Sequence, residues 1–254
     1  MGMTDILYIV GKGFSEWNNN ELRYSLRSIA KNGRNIGRVY VCGYCPFWLN
    51  DNEVTLLPLR DEPGGNKHYN ITRCIDYAIR NSDIGERFLY SSDDHYYVRP
   101  TDFETYPAYW RGKDIPTQMS AQPTWYETTL KSTHDVLEAF GLPTRFYAWH
   151  GNTWFNTRLW KQTRAELLRR LAKTMPEACD PTCLMLNYWQ AVEPATMPQA
   201  VERKDGKIGT AHTLDEIYQA AKAKEVLSTT DVVAGAMREW LQREFPNPCK
   251  YERN

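Results

Sequence analysis

The sequence predicts an α/β protein with a mainly parallel sheet, flanking helices and a C-terminal helical lobe. Two patterns carry that prediction. Short apolar runs alternate with segments of helical period, and a polar or glycine-containing loop follows each run. At 254 residues the chain is long enough to close a real hydrophobic core. It divides into an α/β half over residues 1–115 and a second half over 116–254, expected to form one compact domain.

Residues 5–10 (DILYIV) read as a buried strand, and 38–42 (RVYVC), 54–59 (VTLLPL) and 88–91 (FLYS) as three more. Between them, residues 21–31 place Leu22, Leu26 and Ile29 on one helical face, and Gly33 stops the helix. Residues 70–80 do the same with Ile71, Cys74, Ile75, Ala78 and Ile79. Ligands of such sheets gather beyond the carboxyl ends of the strands, which here are the loops 11–13, 43–45, 61–66 and 92–95. The second half reads as helices over 129–140, 158–173, 180–192 and 231–245, the last capped by Asp231. Residues 204–213 read as a polar, mobile loop.

The charges balance, 31 basic against 31 acidic, so a nucleic-acid or membrane contact would need a local patch. The basic segment 158–173 is the one candidate patch for DNA phosphates, and a solvated helix face is its plainer reading. Aromatic residues make up 13% of the chain, enough to line a carbohydrate or base-stacking site as well as the core. Cys42 and Cys45 are three apart and Cys179 and Cys183 four, but Cys42 sits in an apolar strand-like run and nothing else at 179–183 suggests a zinc knuckle, so the six cysteines read as reduced thiols of a cytoplasmic protein. No secretory signal and no membrane span of roughly 18 apolar residues is read from the chain.

Asp93 and Asp94 follow directly on a hydrophobic strand, where two adjacent carboxylates are costly unless solvated, paired or bound to a cation. Mg²⁺ or Mn²⁺ with one or two carboxylates and substrate phosphates is one reading, and a turn or helix N-cap is the other. His95 beside them reads as an added ligand or a solvent-facing turn residue. Gly65, Asn66 and Lys67 form a glycine turn before a helix, suited to a phosphate or ribose, or a plain left-handed loop. Asn70 and Arg73 share the next helical face, where Arg73 has two candidate partners, a phosphate and Asp76. His150, next to Trp149 and Gly151, reads as a metal ligand, a general base or a buried core histidine.

Residues 18–50 (NNNELRYSLRSIAKNGRNIGRVYVCGYCPFWLN) and 88–100 (FLYSSDDHYYVRP) resemble the Stealth-type sugar-phosphate transferases and, more widely, the glycosyltransferase-A fold, small phage-type glycosyltransferases included. The segments 150–160 (HGNTWFNTRLW), 227–231 (LSTTD) and 244–252 (EFPNPCKYE) resemble later blocks of the same family, in the same order. The resemblance implies a glycosyltransferase-A-like (Rossmann-like) sheet whose first half binds a nucleotide sugar. It implies metal and pyrophosphate contact at Asp93 and Asp94, with Asp94 the direct ligand. It also implies nucleotide contacts at Gly11, Lys12 and Arg73, and a metal or catalytic role for His150. Three departures stand out. Val10-Gly11-Lys12-Gly13 replaces the family's acidic first-strand end, Ser92 replaces the Asn before the acidic pair, and the proline after the histidine is missing.

The expected function is therefore a metal-dependent glycosyltransferase using Mn²⁺ or Mg²⁺ and a nucleotide-sugar donor, with a UDP-sugar favoured. His150 or Asp180 would deprotonate the acceptor hydroxyl, and Trp149 would contact substrate. The acceptor is a glycan or a hydroxymethylated base in DNA. Sugar-1-phosphate transfer to a polysaccharide and a non-catalytic nucleotide- or carbohydrate-binding module are the two alternatives.

Overall fold

The computed structural model describes residues 2–11, 15, 17–170, 179–203, 207–229, 233 and 235–253, with 167–170 described through the backbone alone. Its central strand, β1 (Thr4–Val10), is buried from Ile6 to Val10, as expected of a strand covered on both faces. Helix α1 (Asn20–Asn32) follows and buries Leu22, Leu26 and Ile29 completely, each burial worth about 2 kcal/mol. Then come β2 (Gly33–Arg34), β3 (Ile36–Gly43), β4 (Val54–Pro58), α2 (Lys67–Asn81) and β5 (Arg87–Ser92). Helix α2 starts where the Asn66 side chain accepts the Tyr69 N–H at 2.8 Å, one of the donors a helix end leaves unpaired.

The second half supplies β6 (His95–Tyr97), β7 (Thr101–Asp102), β8 (Ala108–Trp110), α3 (Trp125–Ala139), β9 (Thr153–Asn156), α4 (Thr157–Arg170) and α5 (Pro181–Val192). It closes with β10 (Ala200–Glu202), β11 (Lys207–Ile208), α6 (Leu214–Ala223), β12 (Val226–Thr229) and α7 (Gly235–Glu244). The main sheet has the order β4-β3-β1-β5-β9. Its first four strands run parallel, and β9 runs against β5 with Thr153 opposite Tyr90. This mixed α/β arrangement puts the carboxyl ends of β1, β3, β4 and β5 along one edge, where the chain also enters β9 from His150.

A smaller sheet, β11-β12-β6, anchors a second core of Tyr96, Leu227, Ile217, Met237, Trp240 and Leu241. Two expectations change here. Lys207 and Ile208, read as part of a mobile loop, pair with β12. Helix α3 starts a turn earlier than its apolar pattern, because Thr124 and Glu127 close a capping box. Asp231, residues 171–173 and residues 204–206 lie outside the described residues. Among the described residues no helix is long and apolar enough to cross a membrane.

Candidate active site

Three of the four expected loops meet at the carboxyl edge around a cavity of about 390 Å³. Gly11 and Ser15 follow β1, Asp61 and Gly65 follow β4, and Ser92, Asp93 and Asp94 end β5. Lys67 and Asn70 line it from the first turns of α2, and Glu21 from the first turn of α1. The fourth loop, 43–45, does not line the cavity. Gly43 has φ +104°, a Cβ there would collide with the Val10 carbonyl, and the Tyr44 N–H donates to that carbonyl at 3.0 Å.

The glycine turn earns its composition. Gly64 has φ +81°, and a Cβ on Gly65 would sit 2.7 Å from the Tyr69 ring. Asn70 fixes the turn by accepting the Glu62 N–H at 2.9 Å. Arg73 lies behind it. Its guanidinium donates to the Arg60 carbonyl at 3.1 Å and stands 3.4 Å from the Glu62 carboxylate, so it braces the loop and does not line the cavity. Asp76, the other partner expected for Arg73, instead accepts from Trp160 Nε1 at 2.8 Å and pairs with Arg164 at 3.4 Å. Lys12 lies outside the described residues.

At the end of β5, burial and the neighbouring Asp94 carboxylate push the Asp93 carboxyl up to about 7, with Lys67 opposing and Glu21 adding to the shift. Two recessed carboxylates with too little positive charge suit a divalent cation. Among the described residues no group of three His, Cys, Asp or Glu side chains is placed to hold a metal ion, so His150 does not close a site with the acidic pair. A cation on Asp93 and Asp94 would complete its shell with substrate oxygens and water. His95 is buried beneath them, with Nε2 3.8 Å from Asp94 Oδ1, and does not face solvent. Burial lowers its imidazole to about 4, Asp94 opposes the shift, and His150 adds to it.

A second cavity, about 350 Å³, shares Lys67, Ile71, Tyr90, Ser92, Asp94 and Thr229 with the first. Trp149, His150 and Asp180 line this chamber, together with His68, Trp125 and Tyr126. A Cβ on Gly151 would enter the Trp149 ring, and Trp149 meets Tyr109 edge-on at 4.7 Å. Asp180 is 3% exposed and caps α5. Its Oδ1 accepts the Cys183 N–H at 2.8 Å and the Thr182 hydroxyl at 2.6 Å. Sequence reading missed His68, Glu21 and Trp125. The first two sit in helical first turns, where their types read as ordinary helix residues.

No family model matches this sequence, and no curated protein matches it. Among solved structures the chain is similar to the glycosyltransferase GlyE of Streptococcus pneumoniae TIGR4. The TM-score is 0.43 and the identity 9%, over 96% of this chain and 60% of that one. The chain thus spans 60% of the length of that structure. A likeness of this degree bears on neither family nor chemistry.

Proposed function

We propose that this protein is a glycosyltransferase that moves a sugar from a nucleoside diphosphate to a hydroxyl acceptor. The observation that carries this reading is the shared wall. Two cavities of similar size, about 390 and 350 Å³, meet at Lys67, Ser92 and Asp94. A two-substrate transfer needs such a junction, because the reacting carbon must face both the leaving diphosphate and the incoming hydroxyl.

The first chamber is the donor site in this reading. The α2 N-terminus, with Gly65 before it and Lys67 in its first turn, faces the diphosphate, where helix backbone N–H groups and the ammonium favour negative charge. Asp93 and Asp94 would hold Mn²⁺ or Mg²⁺, which when bound neutralises charge developing on the leaving diphosphate. The second chamber receives the acceptor. Trp125 is 49% exposed and Trp149 is buried in its wall, so rings are present for a sugar or base face.

A glycan is the acceptor class this chamber favours over DNA. Two basic residues of the helix put forward for DNA phosphates are paired within the protein, Arg158 with Glu193 at 2.8 Å and Arg164 with Asp76 at 3.4 Å. The test is thermal unfolding with Mn²⁺ and UDP, GDP or CDP, since a ligand held by the folded state alone raises the melting temperature. At least one nucleotide should stabilise the protein, and Lys67→Ala should lose most of the shift. No shift with any of the three would remove the donor site.

A further inference from the structure

The second chamber contains a histidine–carboxylate pair that the sequence does not advertise. His68, in the first turn of α2, is 8% exposed and lines the cavity. Its Nε2 lies 3.5 Å from Asp180 Oδ2. The Asp180 carboxylate is itself held in place, because its other oxygen caps α5. Trp125 and Tyr126 of α3 meet the imidazole edge-on, with ring centroids 5.4 and 6.0 Å away. Nδ1 is left buried with no hydrogen-bond partner in the protein. A polar atom in that state is costly unless a ligand completes it.

We propose that His68 is the general base for the acceptor hydroxyl and that Asp180 is its positioning residue. This assignment rests on the glycosyl-transfer reading above. With the hydrogen on Nε2, the nitrogen 3.5 Å from the Asp180 carboxylate, the lone pair is on Nδ1. The acceptor O–H proton passes to Nδ1 as the acceptor oxygen bonds to the anomeric carbon. The bond from that carbon to the diphosphate oxygen breaks, and the nucleoside diphosphate leaves with its electron pair. The imidazolium, stabilised beside Asp180, then releases its proton to solvent.

The charged groups facing His68 are Asp180 at the start of α5 and Lys67 on its own helix, while α3 presents the rings of Trp125 and Tyr126. Burial lowers the imidazole below its ordinary value, Asp180 opposes that, and Lys67 adds to it, so the ring is neutral at pH 7. A neutral ring is the form that accepts a proton.

Two measurements test the assignment. Nitrogen NMR of ¹⁵N-histidine-labelled protein should show His68 as a neutral ring with hydrogen on Nε2 at pH 7, and Asp180→Asn should shift that tautomer balance. Splitting of UDP-, GDP- or CDP-glucose with Mn²⁺, water serving as acceptor, should fall at least about 100-fold in His68→Gln. The melting shift produced by the free nucleoside diphosphate should stay unchanged in that variant. Hydrogen on Nδ1, an imidazolium at pH 7, or turnover by His68→Gln within about threefold of wild type would overturn it. A wild-type protein that splits none of the three donors overturns the glycosyl-transfer reading itself. Unimpaired splitting by His68→Gln overturns the base assignment alone.

Discussion

Glu252 receives the Arg27 guanidinium through two hydrogen bonds, from Nε to Oε1 at 2.7 Å and from Nη2 to Oε2 at 2.8 Å. Arg23 approaches the same carboxylate at 3.3 Å, and the Cys249 N–H donates to it at 3.0 Å. Leu49 bridges to Glu252, and the Asn50 N–H donates to the Tyr251 carbonyl at 2.9 Å. Residues 21–29 and 48–50 of the family-like segment 18–50 therefore meet the segment 244–252 in one buried cluster. Apart from Glu21, none of their residues lines either cavity. Their service is structural, tying α1 and the loop after β3 to the last residues described.

Removing that carboxylate leaves Arg27 buried without its counter-charge. Glu252→Gln should cost about 3 kcal/mol in urea unfolding at pH 7. Burial, the largest single influence, would raise the Glu252 carboxyl, but the Arg27 hydrogen bonds, the Cys249 N–H and the charges of Arg27 and Arg23 together outweigh it and hold the group below the usual range. A depressed carboxyl contributes stability above its unfolded value of about 4.3 and loses it as pH falls through the folded value. The difference between wild type and Glu252→Gln should therefore shrink below about pH 4.

Asp93 titrates in the opposite sense. Its carboxyl is raised to about 7, so the stability it contributes is full below its unfolded value of about 3.9 and is lost as pH rises through 7. The cation proposed for the acidic pair would compete with that proton. Mn²⁺ affinity, measured by calorimetry, should therefore increase from pH 6 to pH 8, and Asp93→Asn should flatten the profile.

Gly151→Ala probes the second chamber, proposed to take the acceptor. The new methyl would enter the Trp149 ring, which must shift or force the backbone to move. The expected cost is about 1–3 kcal/mol of stability. Transfer to an added acceptor should fall while nucleoside diphosphate binding holds. Equal loss of both would place Gly151 in a general folding role.

The main sheet was legible because β1, β3, β4 and β5 are continuous apolar runs, and α1 and α2 carry their apolar faces at helical spacing. The strand β9 (TWFN) was not, since four residues with one turn of pattern on either side give no period to read. Likewise Lys207 and Ile208 become a strand through their partner β12, which lies some twenty residues further along. Asp93, Asp94, Gly65 and Lys67 were found at the edge because each follows a recognisable strand or opens a helix. His68 and Asp180 were invisible as a pair: they are distant in sequence, and each has an ordinary local explanation, a first-turn helix residue and an N-cap.

Glycosyl transfer is tested most directly by the identity of the nucleotide released from UDP-, GDP- and CDP-glucose in the presence of Mn²⁺. At least one donor should yield its nucleoside diphosphate, with EDTA suppressing the reaction and Asp94→Ala lowering it at least about 100-fold. Release of the nucleoside monophosphate would mean sugar-phosphate transfer instead, and diphosphate release that survives both EDTA and Asp94→Ala would contradict a cation held at the acidic pair.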